Sequence, residues 1–161
     1  MQQEEKVLIS LRQIIRATDL YSRQLSKQVG LTAPQLVIMQ AVQAIGAVSI
    51  SKLSSEVSLS QATVTTIIDR LVARGFIVRQ RSNLDKRVVN ASLTDEGRLM
   101  VERAPALLQD VFSQRFGQLE EWEQLMIVAS LQRVATMMNA ENIEASPMLH
   151  VGGTIEPAAE I

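Results

Sequence analysis

The amino-acid sequence predicts a mainly α-helical protein with one small two-stranded antiparallel hairpin. Three observations carry this. Apolar residues recur every three or four positions along most of the chain. The apolar share is 47% but aromatics are only 3%, so the core is built from Leu, Ile, Val, Ala and Met, a helix-favouring palette. Near residues 76–93 the spacing changes to the alternation of strands. At 161 residues the chain suits one domain, or one domain with an appendage.

Val7, Leu8, Leu11, Ile14, Ile15, Tyr21 and Leu25 predict a long helix over 4–29, closed at Gly30. Leu8 and Ile15 widen its stripe beyond what one neighbour covers, so it is expected to pack on more than one partner. Thr32 and Pro34 start a nearly all-apolar helix that runs to Gly46. Ser49 or Ser51 opens a short helix over KLSSEV, and Ser60 opens QATVTTIIDRLVARG, closed by Gly75. Two short helices joined by the tight SLS connection, the second with Ser, Gln and Thr on its leading turns, form the pattern of a helix-turn-helix.

FIVRQR and VVNASL follow as strands, with Ile77, Val78, Val89, Ala91 and Leu93 as their apolar residues and SNLDKR as the turn. Thr94 caps the next helix, with Asp95 and Glu96 in its first turn, and Pro105 predicts a kink or break near Arg103. A last helix starts near Leu119 to Glu121 and uses Trp122, Leu125, Met126, Ala129, Val134 and Met138 as its apolar face. Beyond Asn139, Pro, Gly and acids mix without periodicity, as in a mostly disordered tail. The organisation expected is an N-terminal dimerisation helix (1–31), a winged helix-turn-helix (32–98), C-terminal dimerisation helices (99–140) and the tail (141–161). The first and last helices are too apolar to stand alone and would bury their stripes between two chains, which predicts a symmetric homodimer.

Several classes are set aside. With no cysteine there is no thiol switch, disulfide framework or Cys-based zinc site. The longest apolar runs are four or five residues, far short of the ~20 that span a bilayer, and MQQEEK lacks the features of a signal peptide. A cytoplasmic location is expected, with no membrane partner. The single histidine, His150, falls in the tail, and there is no phosphate-cradling glycine loop and no metal-ligating pair; no enzyme, metal or cofactor is expected.

Charge is uneven. The net charge is −1, yet residues 60–90 hold six basic side chains (Arg70, Arg74, Arg79, Arg81, Lys86, Arg87) against two acids (Asp69, Asp85). Residues 99–161 hold three Arg against nine acids. A basic stretch in an acidic chain is a footprint for phosphate. By charge alone a solvated surface loop reads equally well. Beside the helix-turn-helix pattern the stretch makes double-stranded DNA the expected partner, and the run Arg79 to Arg87 argues against the rival reading, a winged-helix module that binds protein without an operator.

The stretch 49–97 resembles the winged helix-turn-helix of the multiple antibiotic resistance regulator (MarR) family. The likeness lies in DRLVARGFIVRQ, the D-x-R of Asp85, Lys86 and Arg87, and the LT-x-x-G of Leu93 to Gly97. The resemblance implies a homodimeric bacterial transcription regulator, usually a repressor, whose affinity for a pseudo-palindromic operator falls when a small molecule binds. LRQIIRATDLYSRQLSKQVGLTAPQL is also similar to members that control compatible-solute (ectoine or betaine) genes, which links the chain to osmotic stress.

On this likeness residues 60–74 form the recognition helix for the major groove and residues 79–90 the wing for the minor groove. Gln61 suits a bidentate contact to adenine, and Thr63, Thr65 and Thr66 offer hydroxyls and methyls beside Ser60, Ala62 and Arg70. Where many relatives carry a basic residue this chain has Thr66, which shifts weight to the wing. Arg87 matches the wing-tip arginine, with Arg81, Asn83 and Lys86 around it, since narrow A·T-rich grooves concentrate negative potential. Asp85 is expected to pair with Arg87 or Arg81 and hold the turn, and Arg70 and Arg74 to pair with Asp69 or reach phosphates. Family pockets between the dimer helices and the winged domain make Arg16, Asp19, Tyr21 and Met39 the effector candidates. Arg16 with Asp19 also reads as a helix ion pair, and Tyr21 and Met39 as packing.

Overall fold

The computed structural model describes residues 2–143 and 145–149. Of the expected tail (141–161), residue 144 and residues 150–161, His150 among them, lie outside the described residues. Helix α1 (Gln3–Val29) ends where Gly30 takes the left-handed conformation, φ 63° and ψ 22°, and donates its amide to the Ser26 carbonyl. Helix α2 (Ala33–Ile45) starts with a capping box between Thr32 and Gln35. Ser49 caps α3 (Ile50–Val57) and Ser60 caps α4 (Gln61–Ala73). The turn between them is made by Ser58 at φ 54° and by buried Leu59, whose carbonyl accepts from the Ser54 hydroxyl.

One strand falls outside the sequence expectation. Val48–Ser49 forms a short β1, so the sheet has three strands, not two: β1, β3 (Val89–Leu93) and β2 (Ile77–Arg81), all antiparallel in that order. Two residues leave no alternation to read, and β1 exists because Val48 pairs with Ala91 across the chain. In the hairpin Ile77 faces Leu93, Arg79 faces Ala91 and Arg81 faces Val89. Ile77, Ala91 and Leu93 are buried, whereas Val78 points to the other face and Val89 sits at the turn end, beside the wing tip; both are exposed.

The expected kink is a complete break. α5 (Asp95–Arg103) stops where Ala104, preceding Pro105, takes an extended ψ of 142°, and α6 (Leu108–Phe116) begins anew. α7 (Glu121–Met137) follows.

The core lies inside the winged unit. Leu36, Ile38, Met39 and Val42 of α2 meet Leu53 and Leu59 around α3, Val64, Ile68 and Leu71 of α4, and Ile77 and Ala91 of the sheet. Of α1 only Thr18, Leu25 and Val29 are buried, and α6 and α7 bury none of their residues. The helices at the two ends therefore stand out from the core as apolar arms. Residues 145–149 carry no helix or strand, and Met148 packs against the core edge.

Candidate nucleic-acid interface

α4 is two-faced by spacing. Val64, Ile67, Ile68 and Leu71 are buried, which turns Gln61, Ala62, Thr65, Thr66, Asp69 and Arg70 outward. Its first turn is fixed by Ser60, whose Oγ accepts the Thr63 amide at 3.1 Å while its hydroxyl donates to Thr63 Oγ1 at 2.8 Å. The Thr65 hydroxyl donates to the Gln61 carbonyl at 2.7 Å and the Thr66 hydroxyl to the Ala62 carbonyl at 3.0 Å. Both protons are thus held by the helix, leaving each side chain a methyl and oxygen lone pairs for a ligand. Gln61 projects from the exposed leading turn with no such tie among the described hydrogen bonds.

The wing is held by short-range bonds without glycine. Ser82 Oγ accepts the amides of Leu84 at 3.2 Å and Asp85 at 3.4 Å, and the Val88 amide returns to the Asp85 carbonyl at 3.0 Å. Asp85 holds the turn, but not by the expected ion pair: its Oδ1 accepts the backbone amide of Arg87 at 2.9 Å. An Asp side chain reaches the amide two residues on with little loss of freedom, while an ion pair to a long solvated guanidinium must order four torsions. Arg81, Asn83, Lys86 and Arg87 are all exposed. So is Leu84, fully exposed at the tip; a lone apolar residue inside a charged turn was its signal in the sequence.

The other basic residues divide. Asp69 pairs with Arg79 of the adjacent strand at 2.6 Å, in place of the expected Arg70 or Arg74. Arg74 does not pair with Asp69; its Nη1 donates to the Gly30 carbonyl at 2.7 Å and its guanidinium lies 4.8 Å from the centre of the Phe76 ring. Among the described residues, Arg70, Arg81, Lys86 and Arg87 have no acidic partner. Four uncompensated cations on α4 and the hairpin are the charge left for a polyanion.

Gly97 explains how α5 supports the wing root. A Cβ there would overlap the Phe76 carbonyl, which also accepts the Thr94 amide at 3.0 Å. Thr94 in turn caps α5 through the Gly97 amide and donates to the Gly75 carbonyl at 2.7 Å.

The effector candidates are placed in three surroundings. Asp19 binds Arg16 at 2.8 Å and Arg23 at 3.0 Å on the solvated side of α1. It borders an open depression of about 450 Å³ with Ser22, Lys27 and Thr32, while Arg16 borders another beside Ile9 and Leu20. Tyr21 is half-buried and Met39 is wholly within the core, and neither lines those depressions. The Tyr21 hydroxyl is buried with no hydrogen-bond partner, and burial pushes its pKa up. The nearby Leu108 amide opposes that rise and the Asp110 carboxylate adds to it. Among the described residues no cluster of three His, Asp or Glu side chains could hold a metal ion, and no helix is long and apolar enough to cross a membrane.

A capped helix-turn-helix backed by a three-stranded sheet whose hairpin projects free cations defines a winged helix-turn-helix protein. The model of the MarR family matches residues 31–89. The HTH-type transcriptional repressor MdtR of Bacillus subtilis (strain 168) is 28% identical over 118 residues, 71% of this chain and 76% of the relative. YwhA of the same strain, an HTH-type transcriptional regulator, is 30% identical over 98 residues, 61% of this chain and 70% of the relative. Among solved structures, BpsR of Bordetella bronchiseptica, whose DNA binding is regulated by 6-hydroxynicotinic acid, superposes with a TM-score of 0.54 at 28% identity, covering 84% of this chain and 96% of that one. The chain belongs to the MarR family, whose members are transcriptional regulators.

Proposed function

We propose that the protein is a cytoplasmic homodimeric repressor that binds a pseudo-palindromic operator in double-stranded DNA, with residues 60–74 in the major groove and the wing, residues 79–90, in the minor groove. The observation that carries this reading is the pairing of an outward polar helix with four unpartnered cations, Arg70, Arg81, Lys86 and Arg87, in a chain of net charge −1. Positive charge concentrated on one face of an acidic chain favours phosphate there and leaves the rest of the surface repelled by it. The exposed apolar sides of α1 and α7 support a dimer, which would offer two such faces to successive turns of a duplex.

The test is a mobility-shift titration on the region upstream of the protein's own gene, with unrelated competitor duplex and a salt series. Saturable binding that survives competitor, with affinity falling steeply as salt rises, is the expected outcome. Equal affinity for every fragment, or none, removes the operator reading. We further infer relief by a small molecule, by analogy with BpsR, whose DNA binding is regulated by 6-hydroxynicotinic acid. Ectoine and betaine are the first compounds to titrate against the preformed complex.

A further inference from the structure

We propose that Arg74 is a positioning residue: it ties the end of the dimer arm α1 to the end of α4 and to the root of the wing, and so sets the spacing of the two reading heads. The proposal rests on the dimeric DNA-binding reading above.

The arm meets the winged unit over a short stretch. α1 buries only Thr18, Leu25 and Val29, and its chain leaves through Gly30 into buried Leu31. A contact at this exit ties the arm directly to the helix and strand that read DNA. The Gly30 carbonyl is there, beyond the last helical hydrogen bond, and it accepts from Arg74 Nη1 at 2.7 Å across 44 residues of sequence. Arg74 is the residue that ends α4. Its guanidinium also covers the ring of Phe76, 4.8 Å from the centroid, and Phe76 is buried where β2 begins.

One planar group is therefore fixed in two directions, by a hydrogen bond along its edge and a ring against its face. The three points it joins are the ends of the arm and the reading helix and the root of the wing. A guanidinium free to seek phosphate would be held in neither direction. Lysine keeps a donor but lacks the plane. The fit is close from the other side as well, since a Cβ at Gly30 would come 3.3 Å from Arg74 Nη2.

The experiment measures geometry first and DNA second. The chain has no cysteine, so Gln13→Cys on α1 and Gln61→Cys on α4 place two spin labels at exposed sites, measured in full-length protein diluted with unlabelled subunits. A narrow distance distribution is expected for the parent and a broadened or shifted one for Arg74→Ala, with Arg74→Lys in between. An unchanged distribution in Arg74→Ala overturns the proposal, whether or not the protein binds DNA. Phe76→Leu, which removes only the ring, serves if Arg74→Ala does not fold, and a parent-like distribution there is equally fatal. On operators whose half-sites are moved apart by one base pair, Arg74→Ala is expected to lose roughly fivefold of the parent's preference for the native spacing, with an unchanged salt slope. Uniform weakening on all spacings with a salt slope lower by about one would mark Arg74 as a phosphate contact and sink the positioning role.

Discussion

The backbone amide of Arg87 donates to Oδ1 of Asp85 at 2.9 Å, so the one acid in the wing acts on the main chain and leaves the guanidinium beside it unpaired. Asn presents the same acceptor without the charge. Asp85→Asn should keep the turn, remove one repulsion toward phosphate and bind operator at least as tightly as the parent. Asp85→Ala, which loses the acceptor, should bind more weakly because the wing must be ordered on binding. Mobility shifts of the two variants side by side decide this; weaker binding by Asp85→Asn than by Asp85→Ala would restore the ion pair as the functional contact.

Arg87→Ala tests the wing itself. A lost minor-groove arginine should cost about 1–3 kcal/mol per half-site and lower the salt slope by about one per subunit. Lys86→Ala should weaken all duplexes to a similar degree, as loss of a phosphate contact does. If Arg87→Ala binds with parental affinity and slope, the wing has no part in recognition.

Thr66 gives the recognition helix a gain-of-function test. Its hydroxyl proton is held by the Ala62 carbonyl at 3.0 Å, so at present this exposed position adds no charge to the interface. Thr66→Lys should tighten binding to specific and unrelated duplexes alike and steepen the salt slope by about one per subunit. No change in slope would place residue 66 away from the phosphates and change the docking of α4.

Local signals were the readable part of this fold. Gly30, Thr32, Ser60 and Thr94 each close or open a helix where the sequence places them, because a cap depends on neighbours three or four residues away. The polar face of α4 was readable for the same reason. What the sequence withheld depends on distant partners. β1 is two residues paired across the chain, and the partners of Asp69 and Arg74 are set by how β2 and α1 pack beside α4. Three of the four effector candidates fell on α1 by number but point into different surroundings, since Asp19 and Tyr21 are two positions apart on a helix and turn away from each other, while Met39 is enclosed in α2.

Tyr21 carries the clearest stability prediction. No hydrogen bond of ordinary geometry reaches its buried hydroxyl, with the Leu108 amide nearby, so Tyr21→Phe should change stability at neutral pH by no more than about 1 kcal/mol. Its folded pKa is raised, chiefly by burial, from an ordinary value of 10.0. The neutral form is then the one favoured by the fold: the contribution is whole below pH 10 and is lost as pH rises through the folded value. Chemical denaturation of parent and Tyr21→Phe from pH 8 upward should show the parent losing more stability in the alkaline range. A marked loss of stability in Tyr21→Phe at neutral pH would show that the hydroxyl has a partner after all.

The arms give the last prediction, because the core covers little of their apolar surface and water does not favour it. Ile15 of α1 is 63% exposed, and on α7 Trp122 is 63% and Leu125 62% exposed, as seen in one chain. Neither helix can hide these side chains against its own core, since α7 buries none of its residues and α1 only three. Two copies meeting through these stripes would bury each side chain twice, and a fully buried Ile contributes about 1.5–3 kcal/mol. Ile15→Asp should therefore raise the dimer dissociation constant on the order of a hundredfold or more. Light scattering of the parent should give twice the 17.8 kDa of one chain, and the variant should approach the single-chain mass at micromolar concentration. Because Ile15 lies outside the buried core, thermal unfolding of the winged unit should remain cooperative in the variant. A parent that scatters as a single chain would leave the two reading heads unlinked and would remove the paired half-sites from the mechanism.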